Sequence, residues 1–332
     1  MATHADLTAA MDYLAVDTWR RLEHGQPRGL APSEESITDY LLFELNQQFP
    51  QVLVHKPSKR EEARVGADWE WWIGADTRWL CLRVQAKKFF GQNYRHLGHT
   101  IGNTGIRQID LLIAGCDQRG YLPYHVFYNG WASGHFDGHD LAALKTNDQF
   151  FPHTSGRPIT MRNPMHPHGY ETVTLGEENP RWWGCSALPS RVVRNLLQAR
   201  HRHYVPRYLA HAMPWSMLFS PTDATRAHER IPAGLTDIVD VIHWRLLSGT
   251  PETTAPMAPV PEDTQDADSI LDGQRLTALP RYVRAVFDGH RAADLGDVNK
   301  ATDDRLPAQR LVLTDLDDFP TDLSPTSVRP LP

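Results

Sequence analysis

The chain has 332 residues, of which 41% are hydrophobic and 22% charged, as in an ordinary globular protein. No apolar run approaches the roughly 20 residues that a membrane helix needs, and acids stand near the N-terminus where a signal peptide would be apolar, so we expect a cytoplasmic protein that does not partner with a membrane. The three cysteines are far apart and lack CxxC spacing, which argues against a disulfide framework and a cysteine-rich zinc module.

The net charge of −6 is unevenly distributed along the chain. Residues 251–332 contain 15 acidic and 8 basic side chains, whereas residues 1–250 contain 25 and 26. Within this balanced part, residues 186–222 hold five arginines and no acid. A local basic cluster of this kind is where a polyanion would bind, although the net charge of the whole chain does not indicate it.

The first fifty residues predict two helices. Apolar side chains recur at helical spacing from Leu7 to Leu22, and Gly25 breaks the pattern. Ser33 is a good N-cap for the second helix, whose apolar positions run over residues 37–49. Glu35 lies in the first turn of this helix, where the helix dipole favours a carboxylate.

Two runs rich in aromatic and β-branched residues, GADWEWWI and WLCLRVQAKK, predict an antiparallel hairpin with a longer loop at residues 74–78. If Ile73 pairs with Trp79, Asp68 lies opposite Val84, within one register step of the polar residues that follow.

Polar side chains are expected to converge at one end of this hairpin. Because side chains alternate along a strand, Asp68 and Glu70 share a face of the first strand, and Gln85 and Lys87 share a face of the second. An uncompensated charge among apolar strand positions would be costly, so these four side chains form the candidate site.

The rest of the chain predicts further helices and one more strand. IRQIDLLIAGC predicts a helix with Gln108 near its start, and LPYHVFYNG predicts a buried strand. Residues 131–181 predict long loops with short elements. Further helices are predicted after Pro189, in LTDIVDVIHWRLL and in LTALPRYVRAVFDG.

Asp68 beside Gln85 and Lys87 is the arrangement that a metal-dependent nuclease needs. The carboxylate offers the hard oxygen that Mg²⁺ prefers, and a Gln can supply a neutral carbonyl oxygen to the metal. The lysine can stabilise developing phosphate charge or help to deprotonate the attacking water. The negative charge that Gln85 does not provide would come from Glu70 or Glu35.

GAD followed by QAK on neighbouring strands, after an acidic helix, resembles the PD-(D/E)XK nuclease superfamily in the Gln-containing variant of Mrr-like restriction endonucleases. EEARVGADWEWW, VQAKK and RQIDLLI resemble an uncharacterised bacterial family of this type. The resemblance covers residues 33–130. Asp68 matches the motif aspartate, Gln85 the (D/E) position and Lys87 the motif lysine, while Glu35 fits the glutamate of the preceding helix.

Two departures from the superfamily motif stand in this sequence. Ala67 replaces the proline before the aspartate, a common change, and Gln85 replaces the acid. The second departure leaves the number of metal ions and the activity itself open.

The resemblance implies an α/β fold with a restriction-endonuclease-like core, which is a mixed central sheet flanked by helices, and a largely helical and loop-rich C-terminal elaboration. We expect an N-terminal helix in residues 1–32, the nuclease-like core in 33–130, an elaboration of the same domain in 131–248, a linker in 249–268, and an acidic, partly flexible C-terminal segment in 269–332.

The implied function is metal-dependent hydrolysis of nucleic-acid phosphodiester bonds, with DNA favoured over RNA and a role in bacterial restriction or antiphage defence. Mg²⁺ or Mn²⁺ would bind Asp68, Gln85 and Glu35, and Lys87 and Glu70 would complete the catalytic set. The nucleic-acid contacts are expected from Lys88, Gln108, Arg191, Arg194 and Arg202.

Other interpretations stay open at this point. Because Gln85 replaces the acid, the chain could be a catalytically inactive nuclease-fold module that binds nucleic acid or a protein partner, and a purely structural role also remains. A homodimer or a partner protein from a defence system is equally open. Four aspartates near the C-terminus could either cover a basic groove as a phosphate mimic or form a solvated chain end; they are Asp315, Asp317, Asp318 and Asp322.

Overall fold

The structure is a computed structural model. It describes residues 2–56, 66–94, 96–101, 105–136, 158–162, 170–174, 180–198, 205–209, 211–220, 237–248, 276–291, 310–317 and 319. The α-helices in this part of the chain are α1 (His4–Gly25), α2 (Glu34–Gln48), α3 (Gln108–Asp117), α4 (Pro180–Trp183), α5 (Ser190–Gln198), α6 (Val205–Leu209), α7 (Ile238–Ser248) and α8 (Arg281–Arg291). The strands are β1 (Val52–His55), β2 (Trp69–Ala75), β3 (Arg78–Phe90), β4 (Asn93–Tyr94), β5 (Leu122–Tyr128), β6 (Pro158–Arg162), β7 (Tyr170–Thr174), β8 (Cys185–Pro189), β9 (Met213–Pro214) and β10 (Leu311–Asp315).

Both N-terminal helices begin at capping residues that the sequence contains. The Thr3 hydroxyl accepts from the Asp6 amide at 3.2 Å, and the Asp6 carboxylate accepts from the Thr3 amide at 2.9 Å, which forms a capping box. The Ser33 hydroxyl accepts from the Ser36 amide at 3.0 Å and starts α2, as predicted. None of the helices in the described ranges is both long and apolar enough to span a bilayer.

Most of the strands form one mixed sheet. Its order is β1-β10-β2-β3-β5-β8-β9, with β4 paired to β3, while β6 and β7 form a separate two-stranded sheet. The pairs β10 with β2 and β3 with β5 are parallel, and the other neighbouring pairs are antiparallel. The predicted α/β class with a mixed central sheet is therefore confirmed.

Helices cover both faces of this sheet. One face carries Trp69 and Trp71 and packs against apolar residues of α1, α2 and α7. The other face carries Trp72 and packs against α3 and α8 at one end and α5 at the other. All three cysteines are buried and form no disulfide, so they serve as small core residues.

The predicted hairpin forms with a tighter turn and a different register. Gly74 and Ala75 continue β2, so the turn contains only Asp76 and Thr77, and Asp76 takes a left-handed conformation with φ of 46° that aspartate tolerates. Trp69 pairs with Val84, one residue away from the predicted register, and this brings Asp68 level with the Gln85 position. The predicted longer loop is wrong.

Strand β10 lies inside the sheet although it comes from the C-terminal segment. It pairs antiparallel with β1 and parallel with β2, and it is buried along most of its length. Residues 311–315 are thus part of the core, and the sequence-based separation of residues 269–332 from it is wrong for this strand. The predicted linker at 249–268 lies outside the described residues.

Two of the C-terminal aspartates are placed far from the candidate site. The Asp317 carboxylate accepts from the Asp76 amide at 3.0 Å and so caps the β2–β3 turn, and Asp315 ends β10 beside Gly74. Asp68 precedes the opposite end of β2, about 20 Å away at roughly 3.3 Å per strand residue. These two aspartates therefore do not cover Asp68, and the hypothesis that the tail covers a basic groove stays a prediction; Asp318 and Asp322 lie outside the described residues.

A truncation tests whether the C-terminal segment is part of the core. Removing residues 311–332 deletes a strand bonded on both sides, so we expect the protein to lose its cooperative thermal unfolding transition. Removing only residues 321–332 keeps every described contact of β10 and should leave that transition in place. Circular dichroism melting of both truncations measures this, and a cooperative melt of the longer truncation would contradict the central role of β10.

Candidate active site

The candidate site lies where β3 runs past the start of β2. The Asp68 amide donates to the Val84 carbonyl at 2.8 Å and extends the antiparallel ladder by one residue. The Asp68 carboxylate then accepts from the Ala86 amide at 2.7 Å, so the side chain takes the place of a backbone carbonyl. This bond fixes one carboxylate oxygen, Oδ2, and leaves Oδ1 available for another partner.

The N-terminus of α2 is docked on the same part of β3. The Glu34 carboxylate accepts from the Lys88 amide at 2.9 Å through Oε2, and its Oε1 lies 3.6 Å from the Lys87 ammonium nitrogen. The Lys88 ammonium donates to the Pro32 carbonyl at 2.6 Å, just before the helix begins. Helix α2 therefore brings a second carboxylate to the site and fixes its position from two sides.

The fold removes two carboxyl groups from water at this site, which costs electrostatic free energy. Burial raises the pKa of Asp68, and the Lys87 ammonium opposes this shift. The pKa of Glu34 is also raised by burial, with Lys87 opposing the shift and the Asp68 charge adding to it. The fold therefore disfavours ionisation of both carboxyl groups at once, which is a property common at functional sites.

The acid that α2 brings to the site is Glu34 rather than Glu35. Glu35 remains close enough to raise the pKa of Asp68, but its side chain is 54% exposed and forms ion pairs with Lys56 at 3.5 Å and Arg310 at 3.7 Å. Sequence reasoning missed Glu34, although it shares the helix stripe of Thr38, Leu41 and Leu45, which are all buried.

Arg310 is the second residue that sequence reasoning missed. It stands next to the first residue of β10 and is buried, and its Nε donates to Asp39 at 2.5 Å. Its Nη1 approaches the Asp68 carbonyl at 3.4 Å, and its charge lowers the pKa of Asp68. No local sequence signal could have found it, because 242 residues separate Arg310 from Asp68.

Gln85 and Lys87 lie on the face of β3 that alternation predicts, and both are buried. Gln85 pairs in register with His125 of the parallel neighbour β5. The His125 Nδ1 lies 2.8 Å from the Ser190 hydroxyl, and burial, followed by the Lys87 charge, holds the pKa of His125 well below its usual range. His125 and Ser190 were not predicted as site residues.

Glu70 belongs to a different cluster, so the structure does not bring it to Asp68. It is fully buried and forms an ion pair with Arg83 at 3.1 Å, and it accepts from the Trp72 indole at 2.9 Å and from the Tyr282 hydroxyl. These partners engage both carboxylate oxygens. The indole bond and the burial of Trp72 make it a core residue.

The predicted nucleic-acid contacts are scattered. Gln108 starts α3 and packs against Gly66, two residues before Asp68; a Cβ at Gly66 would lie 3.0 Å from the Gln108 carbonyl. Arg191 of α5 forms an ion pair with Asp117, and the side chain of Arg194 is half-buried. Lys88 is held at the α2 N-terminus, and Arg202 lies outside the described residues.

Comparisons with known proteins give one family match. The model of a family of unknown function, DUF6615, matches residues 7–318. No curated protein and no solved structure matches the chain.

Replacing the Asp68 carboxylate tests its burial in the metal-free protein. Because its folded pKa lies above its unfolded pKa, the ionised group destabilises the fold at neutral pH, and this penalty disappears below the unfolded value. Asp68→Asn keeps an acceptor for the Ala86 amide, so we expect its Tm to exceed that of wild type by a few degrees at pH 7.5. The difference should shrink as the pH falls towards 4.

Thermal melts of wild type and Asp68→Asn in the presence of a chelator such as EDTA measure the two Tm values. Asp17→Asn, which alters a surface ion pair with Arg21, is the matched control and should show no such gain. A lower Tm for Asp68→Asn than for wild type at pH 7.5 would contradict the electrostatic cost of this carboxylate.

Proposed function

The chain belongs to the DUF6615 family, whose function is unknown, and we propose that it is a metal-dependent nuclease that hydrolyses phosphodiester bonds of nucleic acid. One observation carries the proposal. The Lys87 ammonium lies 3.6 Å from the Glu34 carboxylate, and its charge lowers the pKa of the Asp68 carboxylate beside the start of β2. Two acids and a lysine at one point on adjacent elements are the groups that phosphodiester hydrolysis uses.

The order of elements supports a restriction-endonuclease-like core. Helix α2, strands β1, β2 and β3, helix α3 and strand β5 follow one another, with β3 antiparallel to β2 and parallel to β5. The acidic helix, the hairpin, the next helix and the buried strand follow in the order that the sequence predicts, and β1 is an additional strand. The departure is β10, which stands between β1 and β2.

The side chains at the site fit a magnesium or manganese ion. Asp68 Oδ1, the Glu34 carboxylate and the Gln85 carbonyl oxygen are hard oxygen ligands of the kind that these ions prefer. Within the described ranges, no group of three or more His, Cys, Asp and Glu side chains could hold a metal. Two carboxylates and an amide suit Mg²⁺ nonetheless, since this ion keeps several waters and binds substrate phosphate.

When bound, the ion would activate water and neutralise phosphate charge. The protein's own residues position the metal ligands and stabilise the phosphate charge. The Ala86 amide and the Lys88 amide hold the Asp68 and Glu34 carboxylates in place before substrate arrives. The Lys87 ammonium, buried and close to Glu34, is a point charge that would stabilise the charge that develops on the phosphate.

DNA is the proposed substrate, and restriction of foreign DNA or antiphage defence is the proposed role, as the resemblance to Mrr-like enzymes implies. The basic helix α5 supplies Arg191 and Arg194 on the side of the sheet that also carries Lys87 and Gln85. Phosphate contacts from this helix would require Arg191 to exchange its partner Asp117 for the nucleic-acid backbone.

A catalytically inactive binding module is the second candidate function. It is favoured by Gln85, which is neutral and only 1% exposed and therefore adds no negative charge at the position where related enzymes carry an acid. Such a module would bind nucleic acid with the usual salt dependence and leave it intact at every metal concentration.

A plasmid-nicking assay with Mg²⁺ or Mn²⁺ tests the proposed activity. Asp68→Ala and Lys87→Ala should each reduce cleavage by at least 100-fold, because each removes a group that acts on the metal or the phosphate. Asp17→Ala, a surface change in α1, should cut like wild type. Cleavage by both site variants at the wild-type rate would overturn the nuclease proposal, and binding without cleavage by wild type would favour the inactive module.

The two adjacent acids of α2 provide a matched comparison. Glu34→Gln removes the carboxylate beside Lys87, so we expect cleavage to fall about 100-fold, whereas Glu35→Gln alters an exposed ion pair and should cost less than threefold. Both changes preserve size and lie in the same helical turn. The same plasmid assay measures them, and the reverse ranking would show that Glu35 is the functional acid.

A further inference from the structure

Two buried nitrogen atoms on neighbouring strands have no hydrogen-bond partner among the residues that the structure describes. They are Nε2 of Gln85 on β3 and Nε2 of His125 on β5. These two residues are paired in register in the parallel ladder, so their side chains stand side by side on one face of the sheet. Leaving a buried polar atom without a partner destabilises the fold, and such atoms in a native structure point to a ligand or a water molecule.

The chemistry of the imidazole determines what it can offer to Gln85. Its Nδ1 already forms a hydrogen bond of 2.8 Å with the hydroxyl of Ser190, the first residue of α5. A neutral imidazole has one donor and one acceptor nitrogen. If Nδ1 donates its hydrogen to Ser190, the lone pair of Nε2 is left to accept a hydrogen bond from the side-chain amide of Gln85.

We propose that, when the metal binds, Nε2 of His125 accepts a hydrogen bond from the Gln85 amide, so that the nitrogen of this amide faces His125 and its carbonyl oxygen faces the metal position beside Asp68. His125 and Ser190 are then positioning residues. The inference rests on the proposed function, because it assigns a role to Gln85 within the same metal site.

This role follows from the difference between a glutamine and an acid at the same position. Both ends of a carboxylate are oxygens, so its orientation towards a cation needs no control. An amide has one end that a cation repels, so a neighbouring acceptor must hold the nitrogen away from the metal. Partners behind a metal ligand of this kind typically contribute 10- to 100-fold to metal affinity.

Four full-length proteins test the proposal by a double-mutant cycle: wild type, Gln85→Glu, His125→Leu and the combination. Isothermal titration calorimetry without nucleic acid gives the Mn²⁺ Kd of each. We expect His125→Leu to weaken Mn²⁺ binding roughly 10-fold or more when residue 85 is Gln. The same change should weaken Mn²⁺ binding less than twofold when residue 85 is Glu, because either oxygen of a carboxylate can face the metal.

Equal weakening in the two backgrounds, or no weakening in either, would overturn the orienting role while leaving the nuclease proposal standing. Absence of any Mn²⁺ binding by wild type would overturn both. Thermal melts without metal check that each variant is folded. If His125→Leu does not fold, Ser190→Ala in the same two backgrounds gives the same comparison, since it removes the partner that fixes the imidazole tautomer.

Discussion

The central sheet depends on β10, a strand that pairs on both sides and joins the C-terminal segment to the first half of the chain. It bonds to β1 and β2, and the Trp71 indole donates to Thr314 at 2.9 Å across 243 positions of sequence. Without it, β1 would have no partner among the described strands. Closing a loop of this length costs conformational entropy, which the burial of β10 and its two ladders offsets.

The same strand links the fold to the candidate site through Arg310. This guanidinium is buried at the start of β10 and lies among carboxylates, with Asp39 at 2.5 Å and Glu35 at 3.7 Å. Its charge and that of Lys87 offset part of the cost of burying Asp68, and Lys87 does the same for Glu34. If the proposed cation site is correct, the fold prepares it at a cost in stability that functional sites commonly show.

Buried polar groups on the face of the sheet that carries Trp72 form two clusters with different roles. Around Glu70, the ion pair with Arg83 and the bonds from Trp72 and Tyr282 satisfy the carboxylate and attach α8 to the sheet. Around Gln85, two nitrogen atoms lack partners among the described residues. The first cluster stabilises the fold because its acid is satisfied, and the second has the unmet bonding capacity of a functional site.

The sequence by itself determined the local elements and most of the candidate site. Capping at Ser33, the spacing of apolar residues and the alternation along β2 and β3 act over a few residues, so they predicted α2, the hairpin and the shared position of Asp68, Gln85 and Lys87. The choice between Glu34 and Glu35 was also within reach of the sequence, since the buried stripe of α2 includes only the first.

Only the tertiary structure decided which distant residues complete the site. The insertion of β10, the arrival of Arg310 beside Asp68 and the bond of Tyr282 to Glu70 all join segments that no local pattern connects. The exact register of the hairpin also required it, because a two-residue turn at Asp76 and a longer loop fit the same residues. The packing of the whole core determines which distant segments pair, so a local sequence pattern does not predict that pairing.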